Sequence, residues 1–269
     1  MASTANLLAY AEEYALRDRL KIGFLVLQKY NSKEQNYLSE LIDRHKEDIK
    51  PYIFDVANSY IEPCLACRYC PTRFGDDQEY RCAIRNESDF FVQNHKELVS
   101  MDAIVPVVFS PQDKRMISSQ YQTFIERTRY LRRSDYIFSN VPFMPLIFEE
   151  MNANQNFHMR LITSFIRHET VALRPTVALL HQEKIINEDY VQNNFSGFIE
   201  KAKKITIGRL VAATQNNCSS IYNPVGYSLK YSREANEKIK QQRQDNMQKR
   251  CAELQQCMSD RIIEIKQLV

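Results

Sequence analysis

The chain has 269 residues, 44% of them apolar and 26% charged, a composition that builds a packed core and excludes a disordered chain. Its net charge of +3 is too small to argue for nucleic acid, and the excess lies in residues 227–269, where nine Lys/Arg meet six Asp/Glu. No run approaches the eighteen or so apolar residues of a membrane span, and Met1 to Lys21 mixes Glu12, Glu13, Arg17, Asp18 and Arg19 into its apolar positions, unlike a secretory leader. The cytoplasm is the expected location.

In chain order, Thr4 to Arg19 reads as a helix, with Leu7, Leu8, Ala11, Tyr14 and Ala15 near helical spacing. The unbroken apolar run Ile22–Leu27 has the character of a buried parallel strand. A helix follows from Lys33 to His45, then a strand at Tyr52–Val56. Asn58 to Arg85 is a cysteine-rich loop, and Asn86 to Val99 a helix with Phe90, Phe91, His95 and Leu98 on one side. Ala103–Phe109 is the next buried strand. Ser118–Leu131 is helical, Phe143–Phe148 a strand, Asn154–Ile166 a helix, Thr176–Leu180 a strand and Tyr190–Ala213 a helix.

Strands thus alternate with helices five times, which predicts an α/β fold with a five-stranded parallel sheet covered on both faces. Ligands of such sheets sit beyond the carboxyl ends of the strands. Asn216 to Tyr227 is a turn-rich loop, and from Arg233 onward the sequence predicts one long polar helix with Met247, Cys251, Leu254, Met258, Ile265 and Leu268 near heptad spacing. The expected organisation is an N-terminal helix at 1–20, a central domain at 21–215 and a C-terminal helical extension at 216–269.

Four of the seven cysteines crowd into nineteen residues: Cys64, Cys67 and Cys70 at successive i, i+3 spacing, and Cys82 after eleven more. Three close thiols and a remote one can wrap an iron–sulfur cluster. Pro63 and Pro71 bracket the run and oppose a helix there. Zinc also takes four thiolates, but usually from two separated pairs. Cys218, Cys251 and Cys257 read as structural.

The basic run Arg127, Arg129, Arg132 and Arg133 reads as a solvated helix end complementing the helix dipole. His95 reads as a core residue. No Ser-His-Asp order or Walker loop is present, and no catalytic acid or base is assigned.

From Lys21 to about Thr214 the order of motifs resembles the NAD(P)H-dependent FMN reductase superfamily, and within it the iron–sulfur flavoproteins. The resemblance is carried by Pro63-Cys64 through Cys70, by Cys82-Ala83-Ile84-Arg85, by Met101-Asp102-Ala103-Ile104-Val105 ending in Phe109-Ser110-Pro111, and by Gln122-Thr123-Phe124-Ile125-Glu126-Arg127 in place of a K-x-F-x-D-R pattern. It implies a flavodoxin-like three-layer sandwich, and oxidoreductase activity passing electrons between FMN and a [4Fe-4S] cluster. It also implies homo-oligomers and a redox partner protein.

On that resemblance Cys64, Cys67, Cys70 and Cys82 are the metal ligands. Asn31 and Ser32 meet the FMN phosphate, and Ser110, Pro111, Gln112 and Asp113 pass near the flavin ring. The five glycines (23, 75, 197, 208 and 226) all lie outside the loops that would touch the flavin, and Glu149-Glu150 follows the fourth strand. A second reading therefore stays open: a flavin-free, metal-stabilised scaffold, with Fe–S or zinc, joining a larger assembly through its C-terminal helix.

Overall fold

The structure, a computed structural model, describes residues 19–28, 32–67, 70, 79–109, 114–132, 137–150, 157–182 and 184–214, together with 245, 252 and 256. Of the N-terminal helix expected at 1–20 only Arg19 and Leu20 are described, Arg19 outside any helix and Leu20 in a strand, and all but three positions of the expected C-terminal helix lie outside these residues.

Five long strands form the sheet: β1 (Leu20–Val26), β2 (Ile49–Asp55), β3 (Ala103–Phe109), β5 (Leu146–Glu150) and β7 (Thr176–His181). They are parallel and lie in the order β2-β1-β3-β5-β7, the 2-1-3-4-5 order of flavodoxin-like folds. The helices are α1 (Ser32–Asp43), α2 (Phe90–Val99), α3 (Lys114–Arg127), α4 (Phe157–Phe165) and α5 (Glu188–Thr214).

Period-2 alternation along the strands divides the core. Ile22, Phe24, Val26, Val105 and Val107 pack with Leu38 and Leu41 of α1 and Phe195 and Ile199 of α5. Leu25, Ile104 and Val108 pack on the other face with Phe90 and Phe91 of α2, Phe124 of α3 and Phe165 of α4. The chain is therefore a flavodoxin-like three-layer α/β sandwich. A Cβ on Gly23 would stand 2.9 Å from Met101 Cγ and 3.1 Å from Phe54 Cε2, so this close approach needs glycine.

Three short strands extend the expected five: β4 (Pro142–Phe143), β6 (Val171–Ala172) and the antiparallel edge β8 (Lys184–Ile185). The strand expected at Phe143–Phe148 is divided into β4 and β5, and two prolines explain the division. Ile104 pairs with Phe143 and Val107 with Leu146, so Pro106 and Pro145 fall opposite one another in the gap. Neither has an N–H for the ladder.

Helix α2 begins at Phe90, four residues later than expected, because Asp89 caps it: its side chain accepts from Phe91 N at 2.9 Å. Helix α3 begins at Lys114 and ends at Arg127, where a 3-10 turn (Thr128–Arg132) takes over. Val26, Asp55, Phe109, Glu150 and His181 end their strands on one edge of the sheet, and the order reverses between β1 and β3, the switch point where such folds bind ligands. Among the described residues, no helix is long and apolar enough to cross a membrane.

Candidate metal centre

The cysteine loop is anchored before its first thiol. Asn58 bonds the Asp55 carboxylate through its backbone N at 3.1 Å and its Nδ2 at 2.9 Å, turning the chain out of β2. Gln120 on α3 donates from Nε2 to the carbonyls of Val56 at 2.9 Å and Ser59 at 3.1 Å. Phe90 N donates to Tyr60 O at 2.9 Å, and Glu62 N to Asp89 Oδ2 at 2.8 Å. The loop start is thus pinned to the first turn of α2 and to α3.

Between Cys64 and Cys67 the chain passes through Ala66 at φ 48°, a left-handed conformation. For a residue with a Cβ this costs about 1–2 kcal/mol, and such strain persists where surrounding structure fixes it, often at functional sites. Cys64 and Cys70 are half-buried, Cys67 is exposed and Cys82 is buried.

Cys82 carries the densest set of interactions. The Arg127 guanidinium donates from Nη1 to Cys82 Sγ at 3.0 Å, and from Nη2 to Tyr80 Oη at 3.0 Å and Asp89 Oδ1 at 2.7 Å. The side chains of Arg127 and Asp89 are 1% and 0% exposed, so this ion pair is sealed from water. Arg127 also lies over the Phe91 ring at 5.3 Å.

Cys70 donates a hydrogen bond to Cys82, and with the Ile84 backbone N–H, Arg127 and Tyr80 it overrides burial, bringing the Cys82 thiol down to about 5. The bond that Cys70 donates, followed by burial, pushes its own thiol far up. Cys67 is raised by burial, then by the charges of Cys82 and Cys64. Cys82 is thus the more acidic partner of the Cys70–Cys82 pair.

A proton shared by the Cys70–Cys82 pair has a consequence for the metal-free chain. Cys82 titrates below its unfolded value and Cys70 above it, so from about pH 5 to 9 the unfolded state binds more protons than the folded one, and stability rises with pH. Above pH 9 the sign reverses. The stability difference between wild type and Cys82→Ser is expected to grow from pH 5 to 8 in urea unfolding of metal-free protein; a pH-independent difference would contradict the pairing.

Arg127 corrects the expectation of a solvated basic helix end. Arg129 is exposed and Arg132 half-buried, but Arg127 is buried. The signal was its spacing: Phe124, Arg127 and Tyr130 follow at i, i+3 on the buried side of the chain. His95 is a core residue as expected, 2% exposed and bonded from Nδ1 to Tyr130 Oη at 3.0 Å.

The four thiols fit a thiolate-bound metal in type and number, although among the described residues no three His, Cys, Asp or Glu side chains surround a common point as a finished cage. One further observation bears on the fit. Arg127 Nε and Arg81 Nε are buried without a hydrogen-bond partner among the described residues. Of the two, Arg127 is the one that reaches Cys82 Sγ, and an orphaned N–H on that guanidinium suits a bound group that brings acceptors of its own. A cluster with inorganic sulfide does that, and a bare zinc ion does not.

Of the residues expected to meet a flavin, Asn31, Ser110, Pro111, Gln112 and Asp113 lie outside the described residues. Ser32 opens α1, and its side chain is not among those described. In sequence these residues follow β1 and β3, the two strands between which the order reverses. Arg127 stands seven residues beyond Gln120, about 10 Å down α3 at 1.5 Å per residue. The Cys82 clamp therefore flanks the α2–α3 layer, below the strand ends.

Fold and loop together define a flavodoxin-like α/β protein with a thiol-rich insertion after its second strand. No family model and no curated protein matches the chain. Solved structures similar to it include the following three. FerB, a flavoenzyme NAD(P)H:(acceptor) oxidoreductase from Paracoccus denitrificans, has 12% identity and a TM-score of 0.43, with 69% of this chain and 98% of that one covered. An oxidoreductase from Corynebacterium diphtheriae has 10% identity and a TM-score of 0.38, covering 72% and 98%. A flavodoxin, WrbA-like protein from Agrobacterium tumefaciens has 10% identity and a TM-score of 0.35, covering 74% and 99%.

Proposed function

We propose that the chain is a redox protein of the iron–sulfur flavoprotein type, in which Cys64, Cys67, Cys70 and Cys82 hold a [4Fe-4S] cluster and the strand-end loops hold FMN. The observation that carries the metal half is Cys82: a buried sulfur that accepts from Arg127 Nη1 at 3.0 Å and is hydrogen-bonded by Cys70, with an unpartnered Nε on the same guanidinium. A cluster would supply one-electron chemistry and FMN one- or two-electron chemistry. The chain's own part is to fix the thiolates, shield them with α2 and α3, and tune the sulfurs by hydrogen bonds.

The flavin half rests on the resemblance and on the switch-point topology, with Asn31 and Ser32 toward the phosphate and Ser110, Pro111, Gln112 and Asp113 toward the ring. The second reading, a flavin-free metal-stabilised scaffold or partner-binding subunit, is favoured by the absence of glycine from these loops and by the carboxylates Glu149 and Glu150.

Anaerobic purification followed by absorption spectroscopy and analysis of iron, sulfide, zinc and FMN separates them. Iron, sulfide and FMN together support the redox reading. Zinc without flavin rejects it, and iron with sulfide but no flavin leaves the cluster in a scaffold.

A further inference from the structure

Arg127 is built into the site more deeply than its distance in sequence from the cysteines suggests. Its Nη1 reaches Cys82 Sγ at 3.0 Å, forty-five residues away in the chain. Its Nη2 is divided between Tyr80 Oη at 3.0 Å and Asp89 Oδ1 at 2.7 Å. Asp89 in turn is fixed by Phe91 N and Glu62 N, so the carboxylate that orients the guanidinium is itself held by the α2 cap and the loop start. The remaining nitrogen, Nε, is buried and has no partner among the described residues.

Burying a cation in this way is costly unless its charge and donors are used. The Asp89 carboxylate offsets the charge, yet leaves Nη1 aimed at sulfur and Nε aimed at nothing described. A purely structural Arg–Asp pair would need neither.

We propose that Arg127 is the positioning and charge-setting residue of the thiolate centre: through Nη1 it orients Cys82 as a ligand and withdraws electron density from its sulfur, and its Nε is reserved for an acceptor on the bound group. This rests on the metal reading above and adds to it a control on metal affinity and on potential. Hydrogen bonds to ligand sulfur stabilise the more reduced, more negative state of a thiolate centre, so their loss lowers the reduction potential. Tyr80 is the auxiliary of the same device, taking a bond from Arg127 and passing its own hydroxyl proton toward Cys82. Lysine cannot replace arginine here, since a point cation does not reproduce three divergent N–H bonds.

The test uses the full chain loaded with cobalt(II), whose sulfur-to-metal charge-transfer band reports electron density on the ligand sulfurs. Arg127→Lys is expected to bind cobalt(II) about 10- to 100-fold more weakly, the usual range for removing an outer-shell partner, with the band moved to longer wavelength. Tyr80→Phe is expected to shift the band in the same direction by less, and it decides the matter where Arg127→Lys does not fold. Wild-type band positions in both variants would overturn the inference, as would weaker binding with an unmoved band, which is the mark of a merely structural arginine. Failure of the wild-type chain to bind cobalt(II) through sulfur would also overturn the inference, while the iron and sulfide analysis above decides the cluster reading separately.

Discussion

Replacing Asp89 by Ala is expected to destabilise the metal-free protein by about 3–5 kcal/mol, the range for removing one partner of a buried ion pair. The carboxylate is 0% exposed and serves three elements at once. It caps α2 at Phe91 N, holds the loop start at Glu62 N, and neutralises Arg127. Its loss leaves the guanidinium buried beside two weaker acceptors, Tyr80 Oη and Cys82 Sγ. For a domain of this size the change corresponds to a fall in Tm on the order of 10 °C.

The double variant Asp89→Ala/Arg127→Met is expected to regain part of that loss, because it removes both charges together and leaves no uncompensated cation. Urea unfolding of the two single variants and the double variant gives the coupling energy directly. Additive effects, or an Asp89→Ala protein within about 0.5 kcal/mol of wild type, would mean that the pair does not hold the loop.

Legibility from sequence followed the range over which each feature is determined. Strand β3 emerges at Ala103–Phe109, the bounds that its apolar run predicts, because all seven residues are buried and every position carries the same signal. The division of β4 from β5 depends on Pro106 meeting Pro145 across a ladder, a fact of register that neither segment contains. The short strands β6 and β8 have only two residues each, too few for any period to show.

The site divides in the same way. Cys64, Cys67, Cys70 and Cys82 are visible because metal-type spacing is local. The clamp on Cys82 is not, since Arg127 lies 45 residues from Cys82 and 38 from Asp89. A basic residue beside other basic residues reads as solvent-facing; only its place three residues after Phe124 and three before Tyr130 marks it as buried. The same spacing that makes a helix face apolar makes one arginine on that face exceptional, and a buried arginine with a carboxylate partner is a reason to look for the third group it serves.

That third group makes Cys67 the cleanest position at which to challenge the ligand set. Cys67 is exposed, so Cys67→Ser removes little packing and is expected to leave the unfolding of the metal-free chain nearly unchanged, within about 0.5 kcal/mol. Its effect on metal is expected to be large. A four-thiolate site that loses one thiolate keeps three ligands, and serine, with a hydroxyl that stays protonated near neutral pH, is a poor substitute for a soft sulfur donor. The Cys67→Ser protein is therefore expected to lose its metal on purification, as is Cys82→Ser, which in addition unpairs Arg127 and lowers the stability of the metal-free chain. The two variants then differ in stability and agree in metal content. Metal analysis beside urea unfolding reads both quantities from one preparation. A full metal complement in Cys67→Ser would remove that cysteine from the ligand set, and the strained turn at Ala66 that presents it would need another explanation.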